Sequence, residues 1–188
     1  FNPFYTDDYR FDVEKKDSIK TLLLTLWKSE DDRISKTESG ELGSAVSAYI
    51  RKIQQDRSIV PSFNTFYEYM MEDYREELET RDIKVSREDF NIDNFLTTLR
   101  QYYRGGRFDF LLNSEENIDL LNKRFIVFEI DAVKDNAELF PVVTIIIMEA
   151  FINKMRRLKG IRKMLICEEA WKALSSPSMS EYLTYLYK

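Results

Sequence analysis

The sequence predicts an α/β protein that carries a large all-helical block. Two observations point to this class. Residues 13 to about 104 carry apolar stripes at helical spacing, and each stripe has to be buried against another. After residue 122, two short apolar runs alternate with helical segments, a pattern that is typical of a βαβα unit with a parallel sheet and a right-handed crossover.

Four amphipathic helices are predicted in the first block. The first runs from about residue 13 to residue 28. Ser35 followed by Glu38 forms a capping box, which predicts the start of the second helix. Pro61 and Ser62 begin the third, whose inward face is mainly aromatic and methionine side chains. At core spacing, these side chains indicate packing rather than a ligand site.

The fourth helix is predicted from a cap at Ser86 and Asp89 to about residue 104. It should end at Gly105–Gly106, because glycine readily adopts the left-handed conformation that terminates helices. The second block contains the apolar runs 124–130 (RFIVFEI) and 164–167 (MLIC), which predict strands buried on both faces. A long helix over about 138–158 separates them, and a last helix is expected over about 178–187.

Composition removes several classes of chemistry. The chain has 188 residues, a formal net charge of −5, one cysteine and no histidine. Catalytic triads, zinc sites and general bases that depend on histidine are therefore excluded within it. Cys167, on an apolar run, is interpreted as a small core residue. The most apolar stretch, 139–152, contains Glu149 and is too short to span a membrane, so a buried helix is expected.

The strongest chemical signal is the pair Glu168–Glu169 at the end of an apolar run. Ligands of open α/β sheets bind at the carboxyl ends of strands. One acid there can hold magnesium through water, and the next can orient or deprotonate an attacking water. The alternative to this catalytic role is that both carboxylates are simply exposed to solvent at the end of a strand. Glu129 and Asp131 end the preceding run and could line the same cleft, although solvated acids are again the simpler interpretation.

A basic cluster lies between residues 154 and 163. It could contact phosphate, DNA or a neighbouring subunit. A solvated helix end whose positive charge complements the helix dipole is the simpler interpretation.

The tract LICEEAWKAL (165–174) resembles the Walker B region of the TraG-type conjugation ATPases of type IV secretion systems, which are RecA-like P-loop motors. The opening FNPF (1–4) resembles the segment that follows their nucleotide-binding helix. A helical insertion, an apolar run such as RFIVFEID, a long helix and Walker B then follow in the same order. The resemblance implies ATP and Mg²⁺ as cofactors, Glu168 as the water-mediated magnesium ligand and Glu169 as the catalytic acid.

The resemblance also implies a domain organisation. Residues 1–12 would be an extended segment of the P-loop NTPase core, 13–112 an all-helical insertion, and 113–188 the βαβα part with the Walker B strand. Two features depart from the family pattern: Glu168 stands where the family has Asp, and the chain contains no G-x-x-x-x-G-K-[ST]. The phosphate-binding loop is expected upstream of Phe1 and arginine motifs after Lys188, so the fragment alone should be inactive.

The family's working form implies a ring of subunits at the cytoplasmic face of the bacterial inner membrane. Other type IV secretion components would be partners, with DNA as a further candidate. Two hypotheses compete with this one. The chain could be a non-catalytic helical interaction module on a degenerate α/β core, or belong to a DNA-pumping translocase of a related P-loop branch.

Overall fold

The computed structural model describes residues 1–6, 9–29, 32–115, 120, 122–136, 138–158, 160–166 and 168. These residues form α1 (Val13–Trp27), α2 (Lys36–Gln55), α3 (Phe63–Tyr69), α4 (Arg75–Thr80), α5 (Ile92–Leu99) and α6 (Leu139–Arg157). A π-helical turn (Met70–Tyr74) joins α3 to α4, and 3₁₀ turns cover Arg100–Tyr102 and Asp109–Leu111. The chain divides into two compact units, Phe1–Asn117 and Ile118–Lys188.

Side-chain caps explain where the helices of the first unit begin. The capping box at the start of α2 is confirmed: Ser35 Oγ accepts the Glu38 N–H at 3.0 Å, and Glu38 Oε2 accepts the Ser35 N–H at 2.8 Å. Ser62 caps α3 with Thr65 in the same reciprocal way. Each arrangement satisfies amide groups that would otherwise lack a partner at the first helical turn.

The fourth predicted helix differs from expectation at both ends. Ser86 and Asp89 close a separate turn, in which Ser86 Oγ accepts the Asp89 N–H at 3.1 Å. Asn91 caps α5 instead, through a 2.9 Å bond from the Asn94 N–H. The helix ends at Leu99 rather than near the glycine pair, because the chain tightens into a 3₁₀ turn there.

An aromatic core holds the first unit together, and the opening FNPF tract is part of it. The Phe4 ring is fully buried, 5.0 Å from the Tyr49 ring and 5.1 Å from the Phe66 ring. Asn2, which is 2% exposed, donates from Nδ2 to the Pro61 carbonyl at 2.8 Å and accepts the Phe4 N–H at 2.9 Å. The opening segment is thereby tied to the residues that precede α3.

The predicted α/β class is wrong for the part of the chain that the structure describes, which is helical and contains no strand. The expected RecA-like core with parallel strands is therefore not seen. The run 125–130 lies in irregular conformation, with Phe125 86% and Val127 70% exposed. Apolar and β-branched composition favours an extended backbone, but a strand also needs a hydrogen-bonded neighbour. Neither run has one among the described residues.

The second unit is built around α6. The helix buries one stripe, formed by Val142, Ile145, Met148 and Ile152. Glu149 is also buried, at 3% exposure, and is the single charge between residues 139 and 152. None of the helices formed by the described residues combines the length and the apolar character that a membrane crossing requires.

Candidate functional site

The segment with the strongest sequence signal, 163–171, is described at residues 163–166 and 168. Met164 and Ile166 are exposed at 82% and 75%, so this run is not buried on two faces as the pattern predicts. Glu168 lies in a turn and is exposed to solvent. Its carboxylate is therefore accessible to a ligand. Glu169, Cys167 and Trp171 lie outside the described residues.

The first residue of this segment is bound to the end of α6. Lys163 Nζ donates to the Met155 carbonyl at 3.2 Å and also to the Leu158 carbonyl. These carbonyls belong to the last turn of the helix, where the macrodipole favours a cation. Lys154 Nζ likewise donates to the backbone carbonyls of residues 120 and 123. Lys163 thus binds the C-terminal end of α6, as the helix-end interpretation expects, whereas Lys154 contacts the segment that precedes the helix.

The two acids of the preceding run share one turn. The Asp131 N–H donates to Glu129 Oε1 at 3.3 Å, and Asp131 Oδ1 pairs with Lys134 Nζ at 2.9 Å. The Asp131 side chain is 72% exposed. An ion pair this exposed to solvent contributes little to stability. Both carboxylates can be reached from solvent, but Asp131 already has a cationic neighbour.

The described residues contain no group of three or more Asp, Glu, Cys or His side chains placed to hold a metal ion. Glu168, Glu129 and Asp131 are each exposed to solvent. Carboxylate oxygens of this kind are ligands that Mg²⁺ accepts in proteins.

The first unit contains a half-buried polar cluster that sequence reasoning did not find. Tyr74 Oη donates to Glu41 Oε2 at 2.8 Å, and Arg81 Nη1 donates to the same oxygen at 3.0 Å. Burial, followed by the bond to Glu41, raises the pKa of Tyr74. The periodicity correctly predicts that Tyr74 faces inward, but it carries no information on its partners. The cluster joins α2 to the π-helical turn and to the residue after α4.

Comparison with known proteins assigns the whole chain to one family. A family model described as the TraG P-loop domain matches residues 1–188. The match includes both the FNPF and the EEAW tracts. No curated protein and no solved structure has significant similarity to the chain.

Proposed function

The chain belongs to the TraG P-loop domain family, and from this membership we propose that it is part of an ATP-hydrolysing motor for conjugative DNA transfer through a type IV secretion system. The family match over all 188 residues is the observation that carries the proposal. Membership in a P-loop NTPase family implies nucleotide binding in general. ATP as the nucleotide and Mg²⁺ as its metal are the specific form proposed here.

Within this motor, Glu168 and Glu169 have separate tasks. Glu168 would hold Mg²⁺ through water, and its exposure in a turn supports that role. When bound, the metal neutralises charge on the phosphates. Glu169 would accept a proton from, or orient, the water that attacks the γ-phosphate. Because Glu168 is one methylene longer than the Asp usual in the family, the water shell would lie slightly farther from the backbone.

Glu129 and Asp131 are proposed as secondary residues of the same cleft. Both follow an apolar run, and both are exposed. The Lys134 ammonium that pairs with Asp131 makes this acid the weaker candidate of the two. Their neutral amide variants should therefore reduce turnover less than the corresponding change at Glu169.

The site requires groups that these 188 residues do not contain. The chain has no G-x-x-x-x-G-K-[ST], so the phosphate cradle would come from another part of the longer protein. An arginine from a neighbouring subunit would complete the site in a ring. We place this ring at the cytoplasmic face of the inner membrane, in contact with other secretion components. The isolated chain should not hydrolyse ATP.

The decisive experiment is Glu169→Gln in a protein that contains this chain together with its P-loop. Turnover should be lost, because the amide cannot accept the proton, while Mg·ATP binding should persist. Glu72→Gln, at an exposed position of the first unit, makes the same chemical change away from the acids and serves as control. Undiminished hydrolysis by Glu169→Gln would remove Glu169 from the mechanism.

The same preparation distinguishes the competing functions. A protein that neither binds nor hydrolyses ATP would be an interaction module rather than a motor. ATP hydrolysis that DNA stimulates strongly would favour a translocase of a related P-loop branch.

A further inference from the structure

The segment that follows α5 combines arginines with aromatic residues. Its sequence over residues 100–110, RQYYRGGRFDF, contains three arginines, four aromatic residues and one acid. We call these residues the arginine–aromatic loop. The whole chain has a net charge of −5, so the local net charge of this segment is opposite in sign to that of the chain.

The backbone of the loop is fixed by short-range constraints. Gly105 has φ +76°, a conformation that glycine adopts at little cost, and its N–H donates to Asp109 Oδ2 at 3.0 Å. A Cβ on Gly106 would lie 2.4 Å from the Gln101 carbonyl oxygen, so any side chain there would force the backbone to shift. The Phe108 N–H donates to that same carbonyl at 2.8 Å. A loop held in this way loses little entropy when it binds a ligand.

The side chains of the loop form a set of planar groups. The Tyr103 ring is stacked on the Tyr67 ring, with centroids 4.6 Å apart and planes inclined by 20°. The Arg104 guanidinium lies 6.0 Å from the Tyr103 centroid, and the Arg107 guanidinium lies 4.7 Å from that of Phe108. Two cations are thus held beside aromatic rings of the loop.

Two side chains of this set remain open to a ligand. Arg104 pairs with Glu68 at 3.5 Å, but its side chain is 69% exposed, so a phosphate could replace that contact at little cost. The Phe110 ring follows on the second 3₁₀ turn and is 67% exposed. One exposed aromatic ring is unremarkable by itself. Here it accompanies two arginines on the same rigid loop.

From this geometry we propose that the arginine–aromatic loop binds single-stranded nucleic acid. Phe110 would stack on a base, and Arg104 and Arg107 would contact the phosphates of the same strand. Sequence-tolerant single-strand binding combines these two elements, a positive surface and an exposed π-face. Sequence-specific recognition of duplex DNA instead uses an α-helix or a β-ribbon inserted into the major groove. This short loop provides neither element. The proposal extends the motor function but requires neither nucleotide nor the acids at 168 and 169.

Binding can be measured on the 188-residue chain by fluorescence anisotropy. The probe is labelled oligodeoxythymidine of about 20 nucleotides, longer than the roughly 4–16 that one single-strand module covers. Phe110→Ala should weaken binding about tenfold, within the range measured for loss of base stacking. Phe110→Trp should retain it. Ile83→Ala, which truncates an apolar side chain that is 83% exposed elsewhere in the unit, is the matched control.

The arginines are tested through the salt dependence of the same titration. Each phosphate contact on a single strand contributes about 0.7 to the slope of log K against log salt. The double variant Arg104→Ala/Arg107→Ala should therefore lower that slope by about 1.4. The control Arg33→Ala/Arg87→Ala removes two other exposed arginines and should leave the slope unchanged. Circular dichroism of each variant verifies that it is folded.

Three outcomes would overturn the proposal: no binding at low salt, equal losses in loop and control variants, or tighter binding to duplex of the same length. Because no nucleotide is present, these results are independent of the hydrolysis experiment on Glu169. Binding together with an inactive motor would reject the ATPase proposal and leave this one standing. An active motor whose 188-residue chain does not bind the oligonucleotide would reject only the role of the loop.

Discussion

Replacing Phe4 by Ala tests the finding that the opening FNPF tract belongs to the helical core. The Phe4 ring is fully buried between Tyr49 and Phe66, at 5.0 and 5.1 Å. Truncating a buried Phe removes its transfer free energy and leaves a cavity, which together cost about 3–5 kcal/mol. With a denaturant slope of about 1–3 kcal/mol per molar urea, the unfolding midpoint should fall by about 1 M or more.

Tryptophan fluorescence provides the assay for the first unit. The chain has two tryptophans, Trp27 in α1 and Trp171. Trp27 is 5% exposed and lies against Phe95, at 5.3 Å between ring centroids. In a Trp171→Phe background, Trp27 alone therefore reports on the unfolding of the first unit.

The matched control is Phe110→Ala, the same chemical change at a 67% exposed position. It should alter the free energy of unfolding by less than about 0.5 kcal/mol. If Phe4→Ala shifted the midpoint no more than this control does, the opening tract would not be part of the core.

Three further predictions concern the same unit. Tyr74→Phe should destabilise it by about 1.5–3 kcal/mol, the usual value of a hydrogen bond to a charged group, because the Glu41 carboxylate loses the phenol donor; an unchanged urea midpoint would contradict this. Gly106→Ala should destabilise it measurably in thermal melts, since the new Cβ would overlap backbone atoms at 2.4–2.6 Å, whereas Gly40→Ala on α2 meets no atom and is the control. Glu38 is subject to burial, which alone would raise its pKa, but the bonds from Lys28 and the Ser35 amide lower it. A lowered folded-state pKa stabilises the fold above the unfolded value of about 4.3, and this contribution is lost as pH falls through the folded value. Glu38→Gln should therefore flatten the stability profile in that acidic range.

The helices of the first unit were predictable because their signals are local. Ser35 and Glu38 lie within one turn of each other, and apolar spacing identifies the buried face without knowledge of its partner. The error at the fourth helix is also local in origin. Ser86 and Asp89 make the bonds typical of a cap, but Asn91, two residues after Asp89, begins the helix. Ser86 and Asn91 are both residue types that cap helices, and the sequence alone does not show which of them begins the helix.

Contacts between distant segments were not predictable in this way. Nothing in the FNPF tract indicates that Phe4 enters an aromatic core formed by α2 and α3, or that Asn2 binds the carbonyl of Pro61. At the two apolar runs, 124–130 and 164–167, a clear local signal is present but does not determine the structure. Their composition predicts strands, yet a sheet depends on pairing with another segment of backbone. The run that precedes Glu168 likewise has no neighbouring strand among the described residues.

The two proposals place nucleotide chemistry and strand binding in different units of the chain. Glu168 and Glu169 belong to the unit Ile118–Lys188, whereas Phe110 belongs to Phe1–Asn117. If the motor couples the two activities, the coupling must be reciprocal: a strand that raises nucleotide affinity by some factor requires nucleotide to raise strand affinity by the same factor. Phe110→Ala should then weaken strand binding and reduce strand-stimulated hydrolysis in the longer protein, but leave the basal rate intact. If Phe110→Ala also lowered the rate of ATP hydrolysis without a strand, Phe110 would be needed for the fold of the motor rather than for binding the strand.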